Sequence, residues 1–194
     1  MQIPWEIGDE KVPVYSICVA AIGVCVFRCV ASVAHLFMLR GENGMIVAFF
    51  GQAEYSEQFN YHDRVIELLE RIVGDQSCDF YLGGIDHFDH LMRRYCAEYQ
   101  KTHPRTALFL IVPNCGQVYR PVSSVTELYD AILYPNIEAL FPMDAISRRD
   151  RWMVDRADVI ITSIGEDRVS EDKTYQYAVG KSRTIYHFQP EIVE

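Results

Sequence analysis

From residue 45 onward, the hydrophobic pattern alternates between two periods. Short continuous apolar runs, rich in β-branched and aromatic residues and mostly closed by glycine or proline, predict buried strands over 45–51, 78–84, 106–113, 158–164 and 183–188. The segments between them place apolar residues three and four positions apart, which predicts helices over 61–73, 144–157 and 170–181 and one starting near residue 86. A short helix is predicted around 124–133 in the loop-rich stretch 114–143.

The clearest helical faces follow the first two strands. One consists of Val65, Leu68, Leu69 and Ile72, and the next of Phe88, Leu91, Met92, Tyr95, Cys96 and Tyr99. Strands that alternate with helices imply βαβ units, and continuous apolar strands imply a sheet covered on both faces. We therefore expect an α/β fold, a three-layer Rossmann-like parallel sheet with helices on both faces, over 45–194.

Residues 1–44 form an apolar N-terminal extension that differs from this pattern. The apolar run 12–27 is broken by Arg28 and resumes to residue 39, so it reaches the length of a membrane helix only with a charge inside it. The acidic start does not suit a signal peptide. Three alternatives stay open: a membrane anchor over 12–39, a packed helix, or a start assigned too early, because codons for RGENG can form a ribosome-binding site before Met45.

Composition narrows the function classes. At 194 residues and 49% hydrophobic content, the chain is long enough for one well-buried core. Its net charge of −9 argues against an extended nucleic-acid surface, so any anion site is local. The six cysteines contain no CxxC pair, which favours free thiols and a cytoplasmic location, with membrane tethering through 12–39 as the alternative.

The stretch DHFDH, residues 86–90, allows two interpretations. His87 and His90 are spaced to share a metal, but no further ligand cluster accompanies them. Alternatively, Asp86 is the N-cap of a helix and Asp89 completes a capping box. We favour capping, and we expect neither a metal nor a cofactor.

The carboxyl edge of the predicted sheet carries the candidate binding residues. Gly51 and Gln52 end the first strand, and Gly83 and Gly84 end the second, where glycines let a backbone approach a ligand closely. On the helix from Asp144, position 149 falls on the buried face, so its arginine points inward.

Arg149 and its neighbours Arg148 and Arg151 can therefore grip a phosphate or carboxylate in the crevice. The alternatives are an internal salt bridge of Arg149, for instance with Asp89 or Asp150, and a solvated run of charges.

Over residues 45–188 the motifs resemble the SLOG superfamily of Rossmann-like proteins, and within it the bacterial YpsA-like (DUF1273) group. The resemblance rests on GGxxxFD at 83–89, the segment YPNIE, AIxxRxxWM at 145–153 and the strand that follows. It implies a nucleotide or nucleotide-derived ligand at the carboxyl edge. The matching positions are Gly51, Gly83, Gly84, Phe88, Asp89, Arg149, Trp152 and Met153.

The chain departs from this group at three places, one of which is Arg149-Asp150 where the group has RN before WM. Its first strand runs into Gly51-Gln52-Ala53 where the group has GHR, and the expected second glycine motif reads VSEDKT at 169–174. Acidic residues there, including Glu171 and Asp172, make the loop a poor phosphate cradle. The PGGxGTxxE motif of the related LOG enzymes, which cleave the N-glycosidic bond of nucleoside monophosphates, is absent.

Our leading hypothesis is a protein that binds or senses a nucleotide-like small molecule. The predicted ligand-binding residues are Gly51, Gln52, Gly83, Gly84, Asp86, Phe88, Asp89, Arg148, Arg149, Arg151 and Trp152. One alternative is a nucleotide N-glycosidase with Asp89 or Asp86 as general acid/base. Another is a degenerate module for protein interaction. Aromatic residues of the loop 114–143 suit either a homodimer contact or a cover for the domain's own core: Tyr119, Tyr129, Tyr134 and Phe141.

Overall fold

One mixed sheet and four helices make up the part of the chain that the computed structural model describes, residues 16–19, 24–27, 44–51, 61–84, 86–113, 128–135, 142–164 and 170–187. The strands are β1 (Ser16–Val19), β2 (Val24–Phe27), β3 (Met45–Phe50), β4 (Cys78–Leu82), β5 (Thr106–Ile111), β6 (Ala131–Pro135), β7 (Val159–Thr162) and β8 (Thr184–His187). The helices are α1 (His62–Ile72), α2 (His87–Thr102), α3 (Pro142–Arg156) and α4 (Lys173–Gly180).

The strand order is β1-β2-β6-β5-β4-β3-β7-β8. The six strands β3 to β8 are parallel, whereas β1 and β2 are joined to the β6 edge in antiparallel pairs. From β3 the chain builds the sheet outward through β4, β5 and β6, and it then continues on the other side of β3 with β7 and β8. The order therefore reverses beside β3, between β3 and β7, which is where Rossmann-like sheets bind ligands.

Helices cover both faces of the sheet. On one face, the apolar stripes of α1 and α2 pack onto inward residues of the central strands, such as Val47 and Phe80. On the other face, α3 and α4 contribute Met153, Val154 and Ala178 to a second core. The structure is thus the predicted three-layer Rossmann-like α/β fold, and it confirms the five strands and four of the five helices expected from 45 onward.

The sequence-based prediction missed β6. Residues 131–133 lie in that strand and 128–130 form a turn, so the helix predicted around 124–133 is wrong wherever the structure describes it. Long-range hydrogen bonds hold the strand's start: Asp130 Oδ2 accepts one from Leu108 N at 2.8 Å and one from Gln100 Nε2 at 2.6 Å. Contacts with residues more than 20 positions away leave no local signal. The aromatic Tyr129, predicted for a dimer contact or for the core, is 2% exposed and lies in the core.

Two strands, β1 and β2, occupy parts of the apolar N-terminal extension. β2 pairs with β6 in the register Val24 to Pro135 through Phe27 to Ile132. These stretches extend the sheet, so the packed-helix alternative does not hold over 16–19 and 24–27. Among the described residues, no helix combines the length and the apolar character needed to cross a membrane. The division of the chain at residue 45 stays a prediction.

Candidate functional site

A cavity of about 170 Å³ opens at the carboxyl ends of β3, β4 and β7, at the point where the strand order reverses. The first turns of α2 and α4 and the middle of α3 complete its wall. The lining residues are Phe49, Phe50, Gly51, Gly83, Asp86, Asp89, Arg149, Asp150, Met153, Ile164, Asp172 and Thr174.

Two glycines allow the wall to close tightly. A Cβ on Gly83 would lie 2.5 to 2.8 Å from three atoms of the Arg149 guanidinium, closer than real Cβ atoms approach. A Cβ on Gly51 would collide with the Ser163 hydroxyl and lie 3.2 Å from the Phe88 ring. With the guanidinium and the hydroxyl placed as they are, only a hydrogen atom fits at either place. The glycines are therefore needed for packing of the protein against itself, a role distinct from the close approach to a ligand that the sequence suggested.

Arg149 is the central buried cation of the site, and it is 5% exposed. Its Nη1 donates to Gly83 O at 2.9 Å, while Nε and Nη2 lie 2.8 and 2.6 Å from Asp150 Oδ1. The inward orientation predicted from the sequence is confirmed, and so is the predicted alternative of an internal ion pair with Asp150. One N–H group of this arginine, on Nη1, joins α3 to the residue after β4, while N–H groups on Nε and Nη2 pair with Asp150 within α3.

Burial changes the acidity of Asp150. Its side chain is 15% exposed, and burial raises the pKa of this carboxyl, with the nearby Arg149 guanidinium acting in the opposite direction. The carboxylates of Asp172 and Asp86 raise it further. The Asp150 carboxyl therefore takes up a proton more readily than an aspartate carboxyl in water.

At the start of α2, Asp86 is the N-cap that the sequence predicted. Its Oδ1 accepts a hydrogen bond from Asp89 N at 2.8 Å. Asp89 is 5% exposed, and its carboxylate accepts a hydrogen bond from Gly83 N at 3.2 Å, a contact that the capping-box prediction did not include. Asp89 and Arg149 thus hold the two sides of the Gly83 peptide backbone, the N–H and the C=O.

The start of α4 repeats this arrangement on the other side of the cavity. Asp172 is its N-cap, and Oδ1 accepts a hydrogen bond from Tyr175 N at 2.7 Å. Thr174, in the first turn, also lines the cavity. Together, four aspartates and one arginine face the same small space: Asp86, Asp89, Asp150, Asp172 and Arg149.

The structure brings five of the eleven predicted site residues to the cavity: Gly51, Gly83, Asp86, Asp89 and Arg149. Gly84 and Phe88 lie next to it. Gly84 has a φ of +68°, a backbone conformation suited to glycine, in the turn before α2. The Phe88 side chain is 1% exposed and belongs to the core.

Three predicted site residues on α3 lie outside the cavity lining. Arg148 and Arg151 are exposed, and the Arg151 guanidinium lies 5.2 Å from the centre of the Tyr177 ring. The Trp152 ring stacks on Tyr81, with 5.9 Å between ring centres, and the Arg156 guanidinium covers it at 3.9 Å. Because residues on one side of a helix recur every three or four positions, Arg148 and Arg151 share an exposed side that differs from the buried side of Arg149. Gln52 lies outside the described residues.

The sequence-based prediction of the site missed residues that the fold brings together. Asp172 and Thr174 come from the loop judged a poor phosphate cradle, and their acidic N-cap pattern was the available signal. Asp150 was named only as a partner of Arg149. His87 and His90 are exposed, and the described part of the chain contains no group of three or more residues arranged to hold a metal.

A parallel sheet with helices on both faces and a cavity at its switch point defines a Rossmann-like α/β protein. Among solved structures, the chain is similar to DNA processing protein A from Helicobacter pylori, whose structure is described as giving insights into its single-stranded DNA binding mode. The TM-score is 0.55 at 13% identity, over 84% of this chain and 70% of that one. This likeness shows the fold.

A structural-genomics structure of a protein designated TM1055 matches 73% of this chain and 72% of its own, with a TM-score of 0.42 at 14% identity. No protein-family model and no curated protein matches the sequence.

Proposed function

We propose that this protein binds a nucleotide-derived small molecule in the cavity beside β3. The main support is that the cavity lies where the strand order reverses, because open α/β sheets bind ligands in the crevice at that point. The cavity also brings apolar side chains and converging polar groups together, and polar groups make up most of its lining. Phe49, Met153 and Ile164 supply apolar surface, and the aspartates, Arg149 and Thr174 supply the polar groups.

Membership of the SLOG superfamily, and of its YpsA-like group, belongs to the same proposal. It is supported by the motif positions Gly51, Gly83, Asp89 and Arg149, which all face one cavity, and by the Rossmann-like fold. The Helicobacter pylori protein is described as binding single-stranded DNA. For this chain, the net charge of −9 and the carboxylates around the cavity favour a small ligand over an extended strand of phosphates.

Thermal shift of the full chain against nucleosides, nucleotides, nucleotide sugars and cyclic dinucleotides tests the proposal. A ligand at a hundredfold excess over its Kd stabilises the native state by about 2.7 kcal/mol. At roughly 2–4 °C per kcal/mol for a chain of this size, the expected shift is about 5–11 °C. Thr174→Trp, which places a large ring at a residue that lines the cavity, should abolish the shift, whereas Val179→Trp, at an exposed position of the same helix, should retain it. If no compound of the panel raises the melting temperature, the proposal is wrong.

Hydrolysis of an N-glycosidic bond is the second candidate function. It is favoured by the Asp150 carboxyl, whose pKa burial raises, beside other carboxylates in the same cavity, because a general acid needs a raised pKa. In that reaction the bond between the anomeric carbon and the base nitrogen breaks, water oxygen bonds to the carbon, and a proton goes to the departing base. Release of free base that disappears in Asp150→Asn and Asp89→Asn, but persists in the exposed control Asp144→Asn, would establish it.

A further inference from the structure

The two helix N-termini at the cavity are already occupied by the protein's own carboxylates. A helix N-terminus binds phosphate through its unpaired N–H groups and its positive dipole end. Here Asp86 takes the N–H of Asp89, and Asp172 takes the N–H of Tyr175. A phosphate at either place would lose these donors and meet a fixed negative charge.

The arginine of the cavity does not offset this charge. Arg149 directs Nε and Nη2 to Asp150 and Nη1 to Gly83 O, so its cation is balanced by the neighbouring carboxylate. Asp86, Asp89 and Asp172 then leave the wall with a surplus of negative charge. Because a phosphate monoester carries roughly −1.5 to −2 charges at pH 7, the wall opposes its entry.

The size of the cavity points to a single ring. An apolar protein cavity of about 150 Å³ holds one benzene molecule, and this cavity measures about 170 Å³. Carboxylates accept hydrogen bonds from hydroxyl groups, and in Rossmann-like proteins an acidic residue binds the ribose hydroxyls of a nucleotide. A pentose is a ring of this size that presents several such donors.

We infer that the cavity holds the sugar of a nucleoside-type ligand and excludes a phosphate on that sugar, with Asp86 and Asp172 as the residues that set this selectivity. The inference rests on the proposed function and narrows its ligand class to nucleosides and other phosphate-free ribosyl compounds. The two N-cap residues would then select the ligand in addition to stabilising their helices.

Isothermal titration of the full chain with adenosine, guanosine, cytidine and uridine, each paired with its 5′-monophosphate, tests this selectivity. We expect at least one nucleoside to bind, and to bind at least tenfold more tightly than its own monophosphate. In Asp86→Asn/Asp172→Asn, which keeps two good N-caps without their charge, the ratio should fall at least tenfold. Asp75→Asn removes the same charge from an exposed turn at the opposite edge of the sheet, and it should leave the ratio unchanged.

The possible outcomes distinguish failure of the selectivity from failure of the proposed function. A monophosphate that binds as tightly as its nucleoside, or more tightly, overturns the selectivity while the proposed function stands. A preference for the nucleoside that persists in the double variant removes the role of Asp86 and Asp172. If none of the eight compounds binds, the inference fails, and the proposed function fails with it when the wider panel is also flat.

Discussion

Replacement of Arg149 by methionine should destabilise the fold because it separates a buried ion pair. Methionine keeps most of the length and apolar volume of the arginine stem, so the change acts mainly on the guanidinium. The variant leaves the Asp150 carboxylate without its cation and the Gly83 carbonyl without the Nη1 donor. Both groups stay in a wall where little water reaches them.

The expected loss is about 3 kcal/mol. Breaking a buried ion pair from one side costs about 3–5 kcal/mol, and the lower end applies because the Asp150 side chain retains 15% exposure. A midpoint decrease of about 6–12 °C follows. Since small proteins are stable by about 5–15 kcal/mol, most of the variant should still fold. Arg148→Met is the matched control: that side chain is exposed, and its loss should stay within about 0.5 kcal/mol.

Urea denaturation followed by far-ultraviolet circular dichroism measures both variants, and pH adds a second check. Arg149 holds the pKa of Asp150 down against burial, so its removal raises that pKa further above the unfolded value. A carboxyl with a raised folded pKa favours the folded state at low pH and loses that contribution as pH rises through the folded pKa. The deficit of Arg149→Met should therefore be smaller at pH 4 than at pH 7. A deficit equal to that of Arg148→Met, or one that grows at pH 4, would refute the reasoning.

Three further outcomes are expected in urea denaturation. Gly84→Ala should lower the free energy of unfolding by at least ~1–2 kcal/mol, because φ is +68° there. Gly180→Ala, with nothing within 4 Å of the added methyl, should raise it by about 0.5–1 kcal/mol. Equal effects of the two variants would contradict this. Asp172→Ala should lose about 1 kcal/mol of N-cap stabilisation and Asp172→Asn only a few tenths, and a similar loss in both would exclude a capping role. The hydrogen bond with Asp63 raises the pKa of His62, so stability should fall as pH rises from about 6.5. If stability falls equally steeply with pH in a His62→Gln variant, other groups are responsible for the change.

The fold was predictable where one segment's own pattern decides its structure. The apolar stripe of α2, from Phe88 to Tyr99, is buried as its spacing requires. The strand β6 was not predictable in this way, because a five-residue apolar run fits a strand or a helix equally, and the choice depends on pairing with β5. The same holds for β1 and β2, whose pairing with each other and with β6 gives no periodic signal in the apolar run 12–27.

The site was predictable to the extent that strand ends and helix starts are. Gly83, Asp86 and Arg149 could be assigned to one edge from the order of elements alone. Which contact each makes could not be predicted, since the pairing of Arg149 with Gly83 O joins residues 66 positions apart and depends on how α3 packs over the sheet. Asp172 reaches the same cavity only because β7 returns to the other side of β3.

Some residues around the cavity determine its shape, and others determine its charge. Gly83 and Arg149 depend on each other, because a side chain at the glycine would displace the guanidinium and loss of the guanidinium would leave Asp150 unpaired. Change at either position is therefore expected to lower stability. Asp86 and Asp172 are different, since asparagine caps a helix about as well as aspartate but carries no charge. The charge of the cavity wall can thus change at these two positions while the fold and the cavity stay intact.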